Sequence, residues 1–345
     1  MNGLKIIFLC CCWYLLAINI KAQNRLSTPL EILTFMQASG TKYEVETFSG
    51  KMQPRPNIVL PHGAFVQNYN GKDYTLEYQY ELGCDAEASI AEAKTLLAGE
   101  NPNYKKIIKL LEKVLKVHPK NAQVYTLLGE TYFQQQNYPK AKTQFEKAIA
   151  LNPIDCIARW QLGEILLLEN QTDSALQTIT LAHLYNRNQP RLLLRMRDLY
   201  IRYGFNYEHA WGFSPLYQNY RDKGNIIVRA EGIWLTYAMY KAVWEYEPDY
   251  LYIKSKQAVS DYLFHQEMEA VLGTYMTYSK LEDADKKVYP AIRALETALD
   301  NEMLEEYIMY EIILVERPSL AYYLTPEFTE RLFAYIKAVR SLNYN

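Results

Sequence analysis

The sequence predicts a mainly α protein. It reads as a solenoid of tandem helix pairs, with a small β-containing N-terminal segment before it and an irregular helical bundle after it. Three observations carry this. Residue types return at an interval of 34 through the middle of the chain: Leu128-Gly129 as Leu162-Gly163, Ala141 as Ala175, Ala148 as Ala182. Upstream, Leu76, Tyr78 and Tyr80 alternate with Thr75, Glu77 and Gln79, the period of a strand with two faces. Beyond Gly224 the helical texture continues but the interval is lost.

Residues 1–22 read as a signal peptide. Lys5 supplies the positive start, Ile6–Ile20 the apolar stretch, and Ala22 a small residue for cleavage. The stretch is short of the roughly 20 apolar residues a span requires. An uncleaved anchor is one alternative; a lipoprotein is another, suggested by Cys10, Cys11 and Cys12, although Leu9 before Cys10 is not small. Export would place Gln23 onward in the periplasm, on the outer membrane or at the cell surface of a Gram-negative bacterium, with no integral membrane span after cleavage.

Residues 23–84 form the β-rich extension. Thr28-Pro29-Leu30-Glu31 starts a short helix through Met36, with Pro in the first turn. Tyr43–Phe48, Asn57–Leu60 and Tyr74–Tyr80 read as extended, and Asn70-Gly71 as a hairpin turn. Pro54, Pro56 and Pro61 keep their stretch to loop or edge. The expectation is a small β cap on the first repeat.

Residues 85–223 carry the helix pairs. The first pair is Ala86–Leu97 and Tyr104–Val117, and the second helix aligns with the next repeat at Tyr104/Tyr138, Ile107/Ala141, Leu111/Phe145, Val114/Ala148 and Pro119/Pro153. A fourth unit is weaker: Tyr200 keeps register, Ala210 slips by one, and Trp211–Pro215 is foreign to the pattern. Residues 224–345 are expected to continue or cap the solenoid with helices at Ile226–Trp244, Leu251–Thr277, Val288–Leu299, Glu302–Val315 and Pro326–Leu342, bounded by prolines.

Tyr125, Leu128, Gly129, Tyr132, Ala141, Phe145, Ala148 and Pro153 fall on the pattern W-x2-L-G-x2-Y…A-x3-F…P, with Tyr in the Trp position. Residues 122–155 therefore resemble a tetratricopeptide repeat. The resemblance implies a binding scaffold rather than a catalyst, with first helices lining a concave groove. In that family, repeat positions 2, 5, 9, 12 and 13 face a bound peptide. Here these are Gln123, Thr126, Glu130, Phe133 and Gln134, then Ile157, Trp160, Glu164, Leu167 and Leu168, then Arg191, Leu194, Asp198, Ile201 and Arg202. Position 9 is acidic three times, which predicts a ladder of carboxylates at Glu130, Glu164 and Asp198 that suits a basic and apolar segment. Thr126 and Glu130 stand where chaperone-tail binders of this family carry Lys and Asn, so such tails are not the expected ligand.

Other chemistry is sparse. A net charge of −2 gives no footprint for nucleic acid. The five histidines show no zinc-binding spacing, and no nucleophile elbow, phosphate loop or dinucleotide fingerprint occurs. No catalytic residue, metal or cofactor is predicted. His265-Gln266-Glu267 lacks the cysteines of a zinc deaminase and reads as a surface helical histidine. After cleavage only Cys84 and Cys156 remain. The register separates them by about two repeats at roughly 10 Å each, too far for a disulfide, so both are expected as free, buried thiols.

Lys105, Lys106, Lys109, Lys113, Lys116 and Lys120 form a basic run on the outward helix of repeat one, expected to be a solvated face. Twenty of the 31 tyrosines lie at or beyond Tyr200. That concentration, with Trp211, Trp234 and Trp244, opens a second reading beside the partner-binding scaffold. If exposed, the rings would suit a glycan- or nutrient-binding accessory of the envelope; if buried, they are helix packing. The expected partner on the first reading is another envelope protein or peptide; the sequence leaves its identity and the oligomeric state open.

Overall fold

The computed structural model describes residues 26–48, 57–69, 73–205, 207, 212–256 and 262–341. The signal-peptide stretch, Cys10–Cys12, Pro54, Pro56, Asn70-Gly71, Ala210 and Trp211 lie outside the described residues. In chain order the elements are α1 (Pro29–Ala38), β1 (Tyr43–Thr47), β2 (Phe65–Tyr69), β3 (Asp73–Glu77), α2 (Cys84–Leu97), α3 (Tyr104–Val117), α4 (Ala122–Gln134), α5 (Tyr138–Leu151), α6 (Cys156–Leu168), α7 (Thr172–Tyr185) and α8 (Pro190–Arg202). Then come β4 (Tyr217–Asp222), β5 (Asn225–Ala230), α9 (Trp234–Tyr246), α10 (Pro248–Lys256), α11 (Tyr262–Tyr278), α12 (Asp283–Lys286) and α13 (Pro290–Asp300). A helix in three pieces follows: α14 (Leu304–Ile308), a π turn (Met309–Ile313) and α15 (Leu314–Glu316), then a 3-10 turn (Pro318–Tyr323) and α16 (Pro326–Ala338). No helix among the described residues is long and apolar enough to cross a membrane.

The chain divides into two compact units, each made of two stretches: residues 1–55 with 210–296, and residues 56–209 with 297–345. The second unit holds the helical repeats. Helices α2 to α7 pack as three consecutive pairs, and α8 packs on α7 as the first helix of a fourth. The 34-residue interval reappears in the caps. Asn103 and Asn137 cap the second helices of repeats one and two, while Asn121 and Asp155 cap the first helices of repeats two and three; each side chain accepts an orphan backbone N–H. Between the helices of repeats two and three, Gln136 and Asn170 sit at φ 60° and 58°, the left-handed turn that lets the second helix fold back.

Packing explains the small residues. A Cβ on Gly129 would stand 2.4 Å from the Phe145 ring, and one on Gly163 2.4 Å from Ile179 Cγ1. Phe145 and Ile179 are fully buried, and they too are one repeat apart. Gly129→Ala must push a core ring aside, so we expect destabilisation of about 1–3 kcal/mol, read as a fall in the urea midpoint with unchanged slope. Retention of the wild-type midpoint would mean that the helices approach less closely than this.

The first unit contains a three-stranded sheet ordered β1-β5-β4, with β1 parallel and β4 antiparallel to the central β5. Helix α9 packs on β5 and β4, and α1 on α9 and α11. Thr28 and Glu31 form a capping box at the start of α1, with Pro29 at its first turn.

Several expectations need correction. Ile226–Ala230 is the central strand of that sheet, not the start of a helix: its Ile226-Ile227-Val228 run is buried on both faces, where period gives no guidance. Lys223 and Gly224, at φ 45° and 90°, make the two-residue hairpin turn that feeds it. Leu251–Thr277 contains two helices, α10 and α11. Among the described residues no second helix follows α8 before β4. The N-terminal strands supply the expected β content but do not form one cap on repeat one. Strand β1 pairs with β5, 183 residues on at the register Tyr43↔Ile226, whereas the β2–β3 hairpin falls in the repeat-bearing unit. Consequently neither residue 84 nor residue 223 bounds a compact unit.

Candidate functional site

The first helices of the repeats and a short stretch before the hairpin line an open cavity of about 610 Å³ in the repeat-bearing unit. Leu97, Ala98 and Lys94 come from α2; Leu127, Glu130, Phe133 and Gln134 from α4; Gln161 from α6; Arg191 from α8. His62 completes the lining.

His62 is brought there by asparagines of the repeats. Asn186 accepts from the Leu60 amide through Oδ1 at 3.0 Å and donates through Nδ2 to the Leu60 carbonyl at 2.9 Å. Asn152, one repeat earlier, donates to the Ala64 carbonyl at 2.9 Å, and Asn188 to that of Ile58 at 2.7 Å. The repeats thus hold residues 58–64 by their main chain. Leu60 and Ala64 are buried, and Gly63, at φ 84°, turns against Gln123.

The imidazole Nε2 of His62 lies 3.8 Å from Glu130. That carboxylate holds the histidine pKa above its ordinary value, against the opposing effects of burial and Lys94. A raised folded-state pKa means that the pairing contributes stability below about pH 6.5, the unfolded value, and loses it as pH rises through the folded-state pKa. An NMR titration should therefore place the His62 midpoint above 6.5, and Glu130→Gln should lower it. Equal midpoints in the two proteins would remove Glu130 as the cause.

The sequence-predicted groove residues divide three ways. Glu130, Phe133, Gln134 and Arg191 line the cavity. Trp160 and Leu167 are half-buried beside it in sequence register, while Asp198 and Arg202 stand exposed on α8 with Leu194 and Ile201. Thr126 does not face the groove. It is buried, and its hydroxyl binds Asp155 Oδ2 at 2.6 Å. Burial raises the Asp155 pKa, partly offset by the Ala158 amide and the Thr126 hydroxyl.

The carboxylate ladder is not free either. Arg195 on α8 takes Glu164 with two hydrogen bonds of 2.6 Å, and the Trp160 indole donates to the same carboxylate at 2.8 Å. The same offset of 31 residues carries Glu130 to Gln161, a neutral side chain, and His62 stands 3.8 Å from that carboxylate instead. Sequence reasoning missed His62, Lys94, Leu97, Ala98, Leu127, Gln161 and Arg195. Only the Glu164–Arg195 offset carried a signal, since position 6 of one repeat abuts position 9 of the last.

The tetratricopeptide repeat family profile matches residues 122–155, the α4–α5 pair whose Gly129–Phe145 contact and shared caps recur in its neighbours. That match and the run of consecutive helices support membership of the tetratricopeptide-repeat superfamily. No curated protein matches the chain. A tetratricopeptide repeat suggests a protein–protein interaction scaffold.

The competing aromatic site finds less support. Phe213, Tyr217, Tyr237, Tyr240, Trp244 and Tyr250 are buried, and Phe213, Tyr217 and Tyr237 meet edge to face at 5.3 Å between ring centroids. Trp234 is half-buried against Phe213 and Tyr289. These rings are core. His265 is also interior rather than on the surface, meeting Trp244 edge to face. Cys84 and Cys156 are free, but Cys84 is exposed; burial pushes the Cys156 thiol up to about 12, so it is inert. The six lysines of the basic run are exposed on α3, or just beyond it for Lys120, and Lys106 pairs with Glu92. Among the described residues no cluster of His, Cys, Asp and Glu could hold a metal ion.

Proposed function

We propose that this protein is an extracytoplasmic scaffold that takes an extended segment of a partner protein in the groove lined by Glu130, Phe133, Gln134 and Arg191. The observation that carries the reading is the cavity itself. It is open, walled by first helices of four successive repeats, and mixes apolar area from Leu97, Leu127 and Phe133 with amides and charges. An extended chain needs that combination, apolar footholds for alternate side chains with polar groups for its backbone. Trp160, Glu164, Leu167, Asp198 and Arg202 continue the same helix faces, with Glu164 acting through its pair with Arg195. The partner is an envelope protein or peptide.

Two substitutions test the groove. Phe133→Ala removes an apolar foothold and Gln134→Trp fills the space. Both should abolish binding of a partner segment while the far-ultraviolet circular dichroism stays unchanged. Undiminished binding by both variants would place the contact elsewhere. Export has its own test: N-terminal sequencing of the mature protein should start at Gln23, and a chain that still begins at Met1 would contradict cleavage.

A further inference from the structure

The groove's charges, counted with their partners, reverse the preference suggested by the acids alone. Glu164 is neutralised by the bidentate Arg195 contact, and Glu130 faces His62. Lys94 and Arg191 line the same cavity from α2 and α8, both exposed, and neither takes part in a salt bridge among the described residues. The lining thus holds two open cations against one acid that already has a partner. A further group is unspent: the side-chain oxygen of Gln161 is buried, accepts no hydrogen bond, and belongs to a residue that lines the cavity. It lacks an N–H donor, which a peptide backbone supplies at every residue except proline.

Resting on the groove reading above, we propose that the bound segment is acidic: its Asp or Glu side chains sit between Lys94 and Arg191, and one of its backbone amides donates to Gln161. The exposed cations make each ionic contact modest, roughly two- to fivefold in affinity, and screened by salt. Specificity comes more from repulsion, because a Lys or Arg brought to the same place meets two like charges.

The test is selection from a positional-scanning decapeptide library with both ends blocked, using the full mature chain. Enrichment of Asp or Glu at one or more positions is expected. Affinity of the selected peptide should fall several-fold between 50 and 500 mM NaCl. It should fall on the order of tenfold in Lys94→Glu/Arg191→Glu, with Lys94→Gln/Arg191→Gln in between. Both positions are exposed, so folding is preserved and circular dichroism checks it. Enrichment of Lys or Arg, or no charge preference, overturns the proposal but leaves the groove reading intact, provided that Phe133→Ala still abolishes binding. A second library with free C-termini separates the sources of carboxylate. Dependence on the free terminus, without acidic side-chain preference, also overturns it. If neither library yields a binder, the groove reading itself fails.

Discussion

Glu311→Ala is expected to cost the repeat-bearing unit about 3–5 kcal/mol. Glu311 lies in the π turn Met309–Ile313 and is 1% exposed, where it meets two guanidinium groups from distant parts of the sequence. Arg340 donates to it, Arg187 approaches to 3.6 Å, and the Tyr335 hydroxyl donates at 3.0 Å. The remaining surfaces of the two cations rest on rings, Arg187 3.9 Å above Tyr310 and Arg340 4.8 Å above Tyr207. Burial pushes the Tyr307, Tyr310 and Tyr335 hydroxyls well up. Removing this carboxylate takes away the acid that the buried Arg187 and Arg340 share. Glu311→Gln keeps the shape and loses the charge, so it should be nearly as damaging. Urea unfolding measures both; a loss under 1 kcal/mol for either would show that the rings alone carry the charges.

Glu269→Gln should have an effect of the same order, about 3–5 kcal/mol, on the other unit. Its side chain is completely buried on α11. Oε1 accepts from the Ser27 amide at 3.0 Å and from Lys254; Oε2 accepts from Trp244 Nε1 at 2.9 Å and from the Tyr250 hydroxyl at 2.8 Å. One carboxylate therefore ties the start of α1 to three helices of its unit. A glutamine amide offers one acceptor instead of two and takes the Glu269 charge away from Lys254, itself 2% exposed. Hydrogen exchange should report early release of residues 26–28. Protection there equal to wild type would mean that the capping box and the Tyr240 and Tyr250 contacts to Ser27 hold the segment without Glu269.

The repeats were legible because the contacts that define each helix pair are local and return at an interval of 34 residues. Leu128-Gly129, Ala141 and Phe145 state the packing of a pair directly, and Asn121 and Asp155 state its caps. The β4–β5 hairpin was not legible: a buried strand such as Ile226–Ala230 has neither helical nor alternating period, and Lys-Gly is a weak turn signal beside Asn-Gly. The site was half legible. Family register put Glu130, Phe133, Gln134 and Arg191 on the groove, yet gave no way to see that Thr126 turns inward to Asp155. Nor could it show that Arg195 consumes Glu164. His62 escaped entirely, because its place depends on Asn152 and Asn186 holding the backbone of a segment more than 80 residues away, an interaction that leaves no mark on side-chain pattern.

The central claim is that the first-helix face of the repeats receives a partner segment. Photo-crosslinking with a genetically encoded benzophenone at Gln134, in the cavity, and at Lys113, on the exposed side of α3, tests it most directly. The groove position should yield a defined adduct that disappears with Phe133→Ala, while the Lys113 position yields little. Equal adducts at both positions, or an adduct at Lys113 alone, would contradict the claim.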